Sequence, residues 1–264
     1  MKTIKIWLFG LVCCLVLPAQ AEVLEVQIHY IGPTEGSAWL GVQQGLDEAN
    51  LQGAFLNQKY SLKPVSLAAL AQQQSITAIL LATDAEQVLA VAQDKQFANV
   101  PVFNLISDSD ALRSACLANL LNITTSKKMK QDAVAQMLVK DSDSNAQAQD
   151  WHEDFVKFAA RQLNSRFLRA HDVIMDDDAW AGWAAVRLIS EAVVRTQSTD
   201  STIMLDFLKN APAFDIQKGG GATFRDTGQL RQIILLIENG EIITEAPLRG
   251  VKGGLDSLGL NSCK

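Results

Sequence analysis

From residue 23 to about residue 125, short apolar runs alternate with amphipathic stretches, and this alternation narrows the available folds more than any other feature. Residues 23–30 form a β-rich run ending at the turn signal Ile31-Gly32-Pro33. Trp39, Val42, Leu46 and Ala49 then recur at helical spacing, with Gln43, Gln44, Asp47 and Glu48 on the opposite face. Residues 58–65 predict a second strand and residues 67–74 a short helix. Residues 76–81 are nearly all apolar, as a strand buried on both faces must be. Residues 100–106 repeat that pattern after a helix over Ala85–Gln93 that Asp84 is placed to cap. Strands alternating with helices predict a three-layer α/β domain, with a mostly parallel sheet of about five strands covered on both sides.

The pattern changes near residue 126. Lys127–Lys140 predicts a helix and residues 141–150 a polar loop. Phe155, Phe158, Ala159, Leu163 and Phe167 make a helical stripe, and Asp176-Asp177-Asp178 opens a further helix that carries Trp180, Trp183 and Leu188. Residues 203–208 predict a short helix and 218–221, with three glycines, a flexible turn. Residues 232–237 and 241–245 predict strands joined at Asn239-Gly240, a strong hairpin signal, at the sheet edge or in a small annex.

The N-terminus reads as a signal peptide over residues 1–21. Lys2 and Lys5 precede an apolar core over residues 6–17, then Pro18 and the cleavage pattern Ala19-Gln20-Ala21. That core is too short to span a bilayer as a helix. Cys13 and Cys14 lack the preceding small residue of a lipoprotein signal, so no membrane anchor is expected. The mature chain, 22–264, then forms a single α/β domain located in the periplasm. Without Lys2 and Lys5 the 23 basic residues become 21 against 29 acidic, a formal charge of −8. This excludes nucleic acid as an expected partner, because phosphate contacts need clustered Lys and Arg. Two cysteines survive cleavage, Cys116 and Cys263, and an even count in an oxidising compartment predicts a disulfide, with two separate thiols as the alternative.

Catalytic signatures are missing: there is no G-x-S-x-G elbow and no H-E-x-x-H, and His29, His152 and His171 lack ligand spacing. A non-enzymatic binding role is the expectation. Ligands of open parallel sheets lie beyond the carboxyl ends of the strands. There Thr83, Asp84, Ser107, Asp108 and Asp110 supply hydroxyls and carboxylates, with helix capping as their alternative role. Asp141, Asp143 and Asn145 begin like a calcium loop and are the candidate ligands for calcium or a lanthanide. However, Ala146 stands where glycine is needed and His152 occupies the twelfth position, so a polar linker is the simpler reading. Asp176-Asp177-Asp178 is read as an acidic helix N-terminus stabilised by the helix dipole.

The segment from Gly41 to Asn50, with Gly53 and the strand from Gln58, resembles the first helix and second strand of type I periplasmic binding proteins of ABC importers. A subgroup found with PQQ-dependent alcohol catabolism is similar over more of the chain. The matching segments are Ser107-Asp108-Ser109-Asp110-Ala111-Leu112-Arg113, Cys116, Ala118-Asn119-Leu120-Leu121 and Gln162-Leu163-Asn164-Ser165-Arg166-Phe167. Further matches are Ala181-Gly182-Trp183-Ala184-Ala185-Val186-Arg187, Phe224-Arg225, Gly228-Gln229-Leu230-Arg231-Gln232, Leu255-Asp256-Ser257-Leu258-Gly259 and Cys263. The resemblance implies a solute-binding protein whose partners are an ABC permease or a periplasmic PQQ-dehydrogenase system. It implies the Cys116–Cys263 pairing, a ligand cleft lined by the loops named above, and a small molecule or metal ion as ligand. In that family a complete second lobe follows the helix matching Lys127–Lys140; here residues 141–150 replace it. An alternative therefore follows, an interaction protein that forms a homodimer or docks on a dehydrogenase or permease through the face the lost lobe would have covered.

Overall fold

The computed structural model describes residues 23–219 and 221–263. The signal-peptide reading of residues 1–21 and Gly220 of the glycine run lie outside the described residues.

Strands β1 (Leu24–Ile31), β2 (Gln58–Pro64), β3 (Ala78–Leu81), β4 (Val102–Asn104) and β5 (Leu120–Asn122) form one parallel sheet in the order β2-β1-β3-β4-β5. Side chains alternate across it. Val26, Ile28, Tyr30, Leu80, Phe103 and Leu121 point to one face, where helices α1 (Ser37–Leu56) and α7 (Asp177–Thr196) bury them. Ile79, Leu81, Val102 and Leu120 point to the other, against α2 (Leu67–Leu70), α3 (Ala85–Gln93) and α4 (Asp110–Ser114). The three-layer α/β architecture read from the sequence is therefore present, with all five strands parallel.

Helices α1 and α7 touch through their backbones. A Cβ on Gly41 would lie 1.8 Å from the Ala179 carbonyl oxygen, and one on Gly182 would lie 2.4 Å from that of Ala38. Trp180 and Trp183 on α7 are fully buried core residues.

After β5 the chain runs through α5 (Lys127–Lys140), β6 (Gln147–Gln149), α6 (Ala160–His171), α7, α8 (Ser201–Asn210), β7 (Ile234–Glu238) and β8 (Glu241–Ala246). The hairpin β7–β8 turns at Asn239 and Gly240, both with positive φ (52° and 82°), as a tight two-residue turn requires. It belongs to a separate antiparallel sheet, β6-β7-β8.

Three expectations are corrected. Residues 141–150 are not loop throughout: residues 147–149 pair with β7. Strand propensity in Gln-Ala-Gln is low, and the cross-strand partners Leu235, Leu236 and Ile237 supply the pairing. The helical stripe from Phe155 is shorter than expected, because Phe158 and Ala159 adopt left-handed backbone (φ 52° and 67°) and α6 begins only at Ala160. The short helix expected over residues 67–74 is one turn, Leu67–Leu70, started by the Ser66 side chain accepting the Ala69 N–H.

Candidate functional site

The order β2-β1-β3-β4-β5 reverses between β1 and β3, and the crevice beyond their carboxyl ends is the usual ligand position in such sheets. The chain leaves β1 through Gly32, whose φ of 152° and nearness to β3 favour glycine: a Cβ there would sit 2.8 Å from the Ala82 carbonyl oxygen. Tyr30 Oη donates to the Pro33 carbonyl at 3.0 Å and its ring meets Trp39 edge-on at 5.0 Å. Burial, helped by the Asp178 charge, pushes the Tyr30 phenol up to about 12, so it remains a donor.

Each residue picked from the sequence has a definite place here. Thr83 follows β3, and its buried hydroxyl has no hydrogen-bond partner among the described residues. Asp84 caps α3, accepting the Gln87 N–H at 2.9 Å. Ser107 is bracketed by Asn104, whose amide donates to its carbonyl at 2.7 Å and accepts its N–H at 3.0 Å. The Asp108 carbonyl accepts the Lys127 N–H at 2.9 Å, and its carboxylate lies 3.9 Å from Lys127 Nζ. Asp110 opens α4 and accepts the Lys128 N–H at 3.2 Å. Thr83 and Ser107 thus stand at the ends of adjacent strands, while the carboxylates of Asp84 and Asp110 are engaged at helix starts. Arg113 locks the 107–110 loop, donating to the carbonyls of Ser107, Ser109 and Thr124 and to Gln229 Oε1. Burial lowers its guanidinium to about 10, opposed by Asp110 and Asp150.

A buried ionic network at the end of β5 was not read from the sequence. The Asp150 carboxylate accepts from Thr124 Oγ1 at 3.0 Å, from the Thr125 N–H at 2.9 Å and from the Thr125 hydroxyl. Burial opposes its charge, but Lys130, Lys218 and the Thr125 bonds outweigh that and hold its carboxyl below the usual range. Lys130 Nζ lies 3.2 Å from Asp177, which also accepts the Trp151 N–H at 2.7 Å. Burial and the Asp150 charge raise the Asp177 carboxyl. The Lys218 amine donates to Gln232 at 2.7 Å and sits 4.4 Å from the Trp180 ring, which stacks on Trp151. Burial lowers it to about 8 despite Asp150. Asp178 is raised to about 6 by burial and by Asp176 and Asp177. The sequence does not show this network: Asp150 stands in a polar run, and Asp177 reads as part of an acidic helix N-terminus stabilised by the helix dipole.

The calcium-like segment forms a local turn beside β7. Asp141 accepts the Asp143 N–H at 3.2 Å in a local turn, and the Asn145 N–H donates to Glu238 at 2.6 Å. Among the described residues no group of three or more His, Cys, Asp or Glu is arranged to hold a metal ion.

Cys116 and Cys263 are joined in a disulfide, their Cα atoms 5.9 Å apart. Arg225 secures the same tail, donating to the Leu258 carbonyl at 2.7 Å and to Asp256 at 3.0 Å. An open groove of about 530 Å³ runs beside β8, between that strand and residues 154–157.

No family model matches the sequence, and no curated protein is similar to it. Solved structures share the fold. A branched chain amino acid ABC transporter periplasmic ligand-binding protein from Burkholderia xenovorans is 10% identical, with a TM-score of 0.70 over 88% of this chain and 96% of that one. A leucine binding protein from Thermotoga maritima is 10% identical, with a TM-score of 0.65 over 83% and 98% of the two chains. An ABC transporter solute binding protein from R. palustris, in complex with benzoate, is 10% identical, with a TM-score of 0.68 over 90% and 98%. No helix of the described residues is long and apolar enough to cross a membrane.

Proposed function

We propose that this chain is an exported, non-enzymatic solute-binding-like protein that serves an ABC importer, and that its solute is recognised at the carboxyl ends of β1, β3 and β4. The observation that carries the reading is the Thr83 hydroxyl, buried and unpartnered at the topological switch point. An unpaired buried polar group is costly, and a ligand that hydrogen-bonds to it removes the cost. Asp84 on the loop after β3 and Ser107, Asp108 and Asp110 on the loop after β4 are the further contacts this reading assigns, with Thr83 and Ser107 first. The fold shared with solute-binding proteins supports the reading, and one of those proteins holds benzoate. The solute is a small organic molecule. The resemblance to the PQQ-linked subgroup favours an acid derived from alcohol oxidation, and a PQQ-dehydrogenase system as a neighbour of the permease.

In this reading residues 141–150 stand in place of most of a second lobe, which the single short strand β6 between α5 and α6 supports. A cleft with one wall encloses its ligand less than ordinary small-molecule pockets do, so binding is weak and without hinged closure. Native mass spectrometry of protein purified from its own periplasm tests this by detecting retained solute and any metal together. Thr83→Val should keep or raise thermal stability and abolish retention. A solute retained equally by this variant would refute the site.

A second reading, an interaction protein, is favoured by the open groove beside β8, whose lining includes Phe155, Val156, Ile242 and Ile243.

A further inference from the structure

We infer that the Asn239-Gly240 turn is a site of spontaneous covalent modification, in which Asn239 loses its side-chain amide through a succinimide and becomes aspartate or isoaspartate. The reaction needs an asparagine side chain free to swing onto the backbone nitrogen of the next residue. It also needs a next residue that does not shield that nitrogen. Of the chain's asparagines only Asn239 precedes a glycine. The others precede residues with side chains, Val100 and Ile123 among them. Asn50 and Asn164 are held as well, by the Tyr60 carbonyl and by the carbonyls of Glu153 and Phe155.

The structure leaves both reacting groups open. Asn239 and Gly240 are exposed at the tip joining β7 to β8, and nothing lies within 4 Å of where a Gly240 Cβ would stand. No hydrogen bond among the described residues engages the Gly240 N–H or the Asn239 side chain. The neighbouring Glu238 carboxylate is engaged elsewhere, accepting the Asn145 N–H at 2.6 Å and the Ser144 hydroxyl at 3.3 Å. Ring closure rotates the backbone at Asn239 out of the turn, and local opening at an exposed hairpin tip provides that rotation. Glu238 and Glu241 are paired across the tip, and like charges directly opposite weaken such a pair.

A solvent base removes the Gly240 amide proton, and the nitrogen attacks Asn239 Cγ. A C–N bond forms, the Cγ–Nδ2 bond breaks, and the side-chain nitrogen takes up a proton and leaves as ammonia. Water then opens the ring. Attack at Cγ gives aspartate, and attack at the main-chain carbonyl gives isoaspartate; nothing is oxidised or reduced. The two products treat the hairpin differently. Aspartate keeps the turn, because Asp-Gly suits the same positive-φ geometry as Asn-Gly. Isoaspartate routes the main chain through the side-chain carbon, which lengthens the two-residue turn and breaks the Glu238–Glu241 register. Ile234, Leu235 and Leu236 are fully buried, so the lesion stays at the hairpin's end.

The test incubates the mature protein in mildly alkaline buffer at physiological temperature and follows residue 239 by peptide mapping with mass spectrometry. A synthetic peptide from Ile234 to Ala246 is the unfolded reference. Expected are ammonia release, both aspartate and isoaspartate at position 239, and conversion at least about tenfold faster than at any other asparagine. The rate should rise with pH, because the attacking nitrogen must lose its proton. Amide exchange at Glu238 and Glu241 should quicken in the isoaspartate fraction and not in Asn239→Asp, which carries the acid on an intact main chain. Three results would each overturn the proposal. These are Asn239 intact in the protein after the peptide has converted, aspartate without isoaspartate, which is direct hydrolysis, or faster conversion at another asparagine.

Discussion

Gly41 in α1 lies so close to Ala179 in α7 that a Cβ on the glycine would stand 1.8 Å from the alanine's carbonyl oxygen. Gly182 makes the reciprocal approach to Ala38, and α7 is held by this double contact. Asp176 caps α7, its carboxylate accepting the Ala179 N–H at 2.9 Å and the Ser37 hydroxyl at 2.6 Å, and so ties the start of α7 to the start of α1.

Gly41→Ala should therefore destabilise the protein although alanine is the better helix former. The overpacking cost of about 1–3 kcal/mol exceeds the helix-propensity gain of about 1 kcal/mol, because the clash is with backbone that cannot rotate away. Thermal denaturation should show a lower Tm. Gly36→Ala is the comparison on open surface, since nothing lies within 4 Å of a Cβ there, although its φ of 91° still strains alanine.

The disulfide makes a second prediction. Thiol titration of the denatured, unreduced protein should find no free thiol, whereas two reactive thiols would refute the bond. In the chain-entropy account a loop this long contributes up to about 5 kcal/mol. Cys116→Ser with Cys263→Ser should lower Tm, while the Arg225 hydrogen bonds keep the tail docked in the folded variant.

Asp178 makes a pH prediction. Its folded-state carboxyl is raised to about 6 by burial and by its acidic neighbours. Between the ordinary aspartate range and about 6, the unfolded chain ionises while the folded chain keeps its proton, so this group's contribution to stability falls as pH rises through that window. Asp178→Asn removes the effect. The variant should match the parent near the acid end of the window and exceed it at neutral pH, by a few degrees at most, because the side chain is partly exposed to screening solvent. Equal Tm differences at both pH values would contradict this.

Asp150 makes the fourth. Its carboxylate is fully buried, so Asp150→Ala should cost about 3–5 kcal/mol, as breaking a buried charge network does. Lys218→Met should also destabilise, by leaving Asp150 with less compensating charge. The double variant should lose less than the two single losses combined, and chemical denaturation of all four proteins measures that coupling.

How much of this was legible depended on range. Residues 78–81 and Lys127–Lys140 announce themselves because apolar runs and helical periodicity are local properties. The hairpin was legible because Asn239-Gly240 demands positive φ on its own account. β6 was not, because Gln147, Ala148 and Gln149 are a strand only through a partner almost ninety residues later. Thr83 and Ser107 were legible as positions after strands, but which of the five candidate residues keep free side chains depends on neighbours such as Asn104 and Gln87. Asp150 was the hardest: its meaning comes from Lys130 and Lys218, brought to it from two other segments.

The separation of 147 residues between Cys116 and Cys263 bears on the order of assembly. A chain delivered N-terminus first presents Cys116 long before its partner exists. All five strands of the parallel sheet, and α5 after them, precede Cys263 in the chain and can assemble around an open thiol. The covalent ring follows the β7–β8 hairpin and the Arg225 clamp in chain order, and the tail that carries Cys263 lies against α5, where the Gly259 N–H donates to Asp132 at 2.8 Å. The bond thus joins an early segment to a late one, and its presence in a sample reports that the segment around Cys263 reached its place beside Cys116.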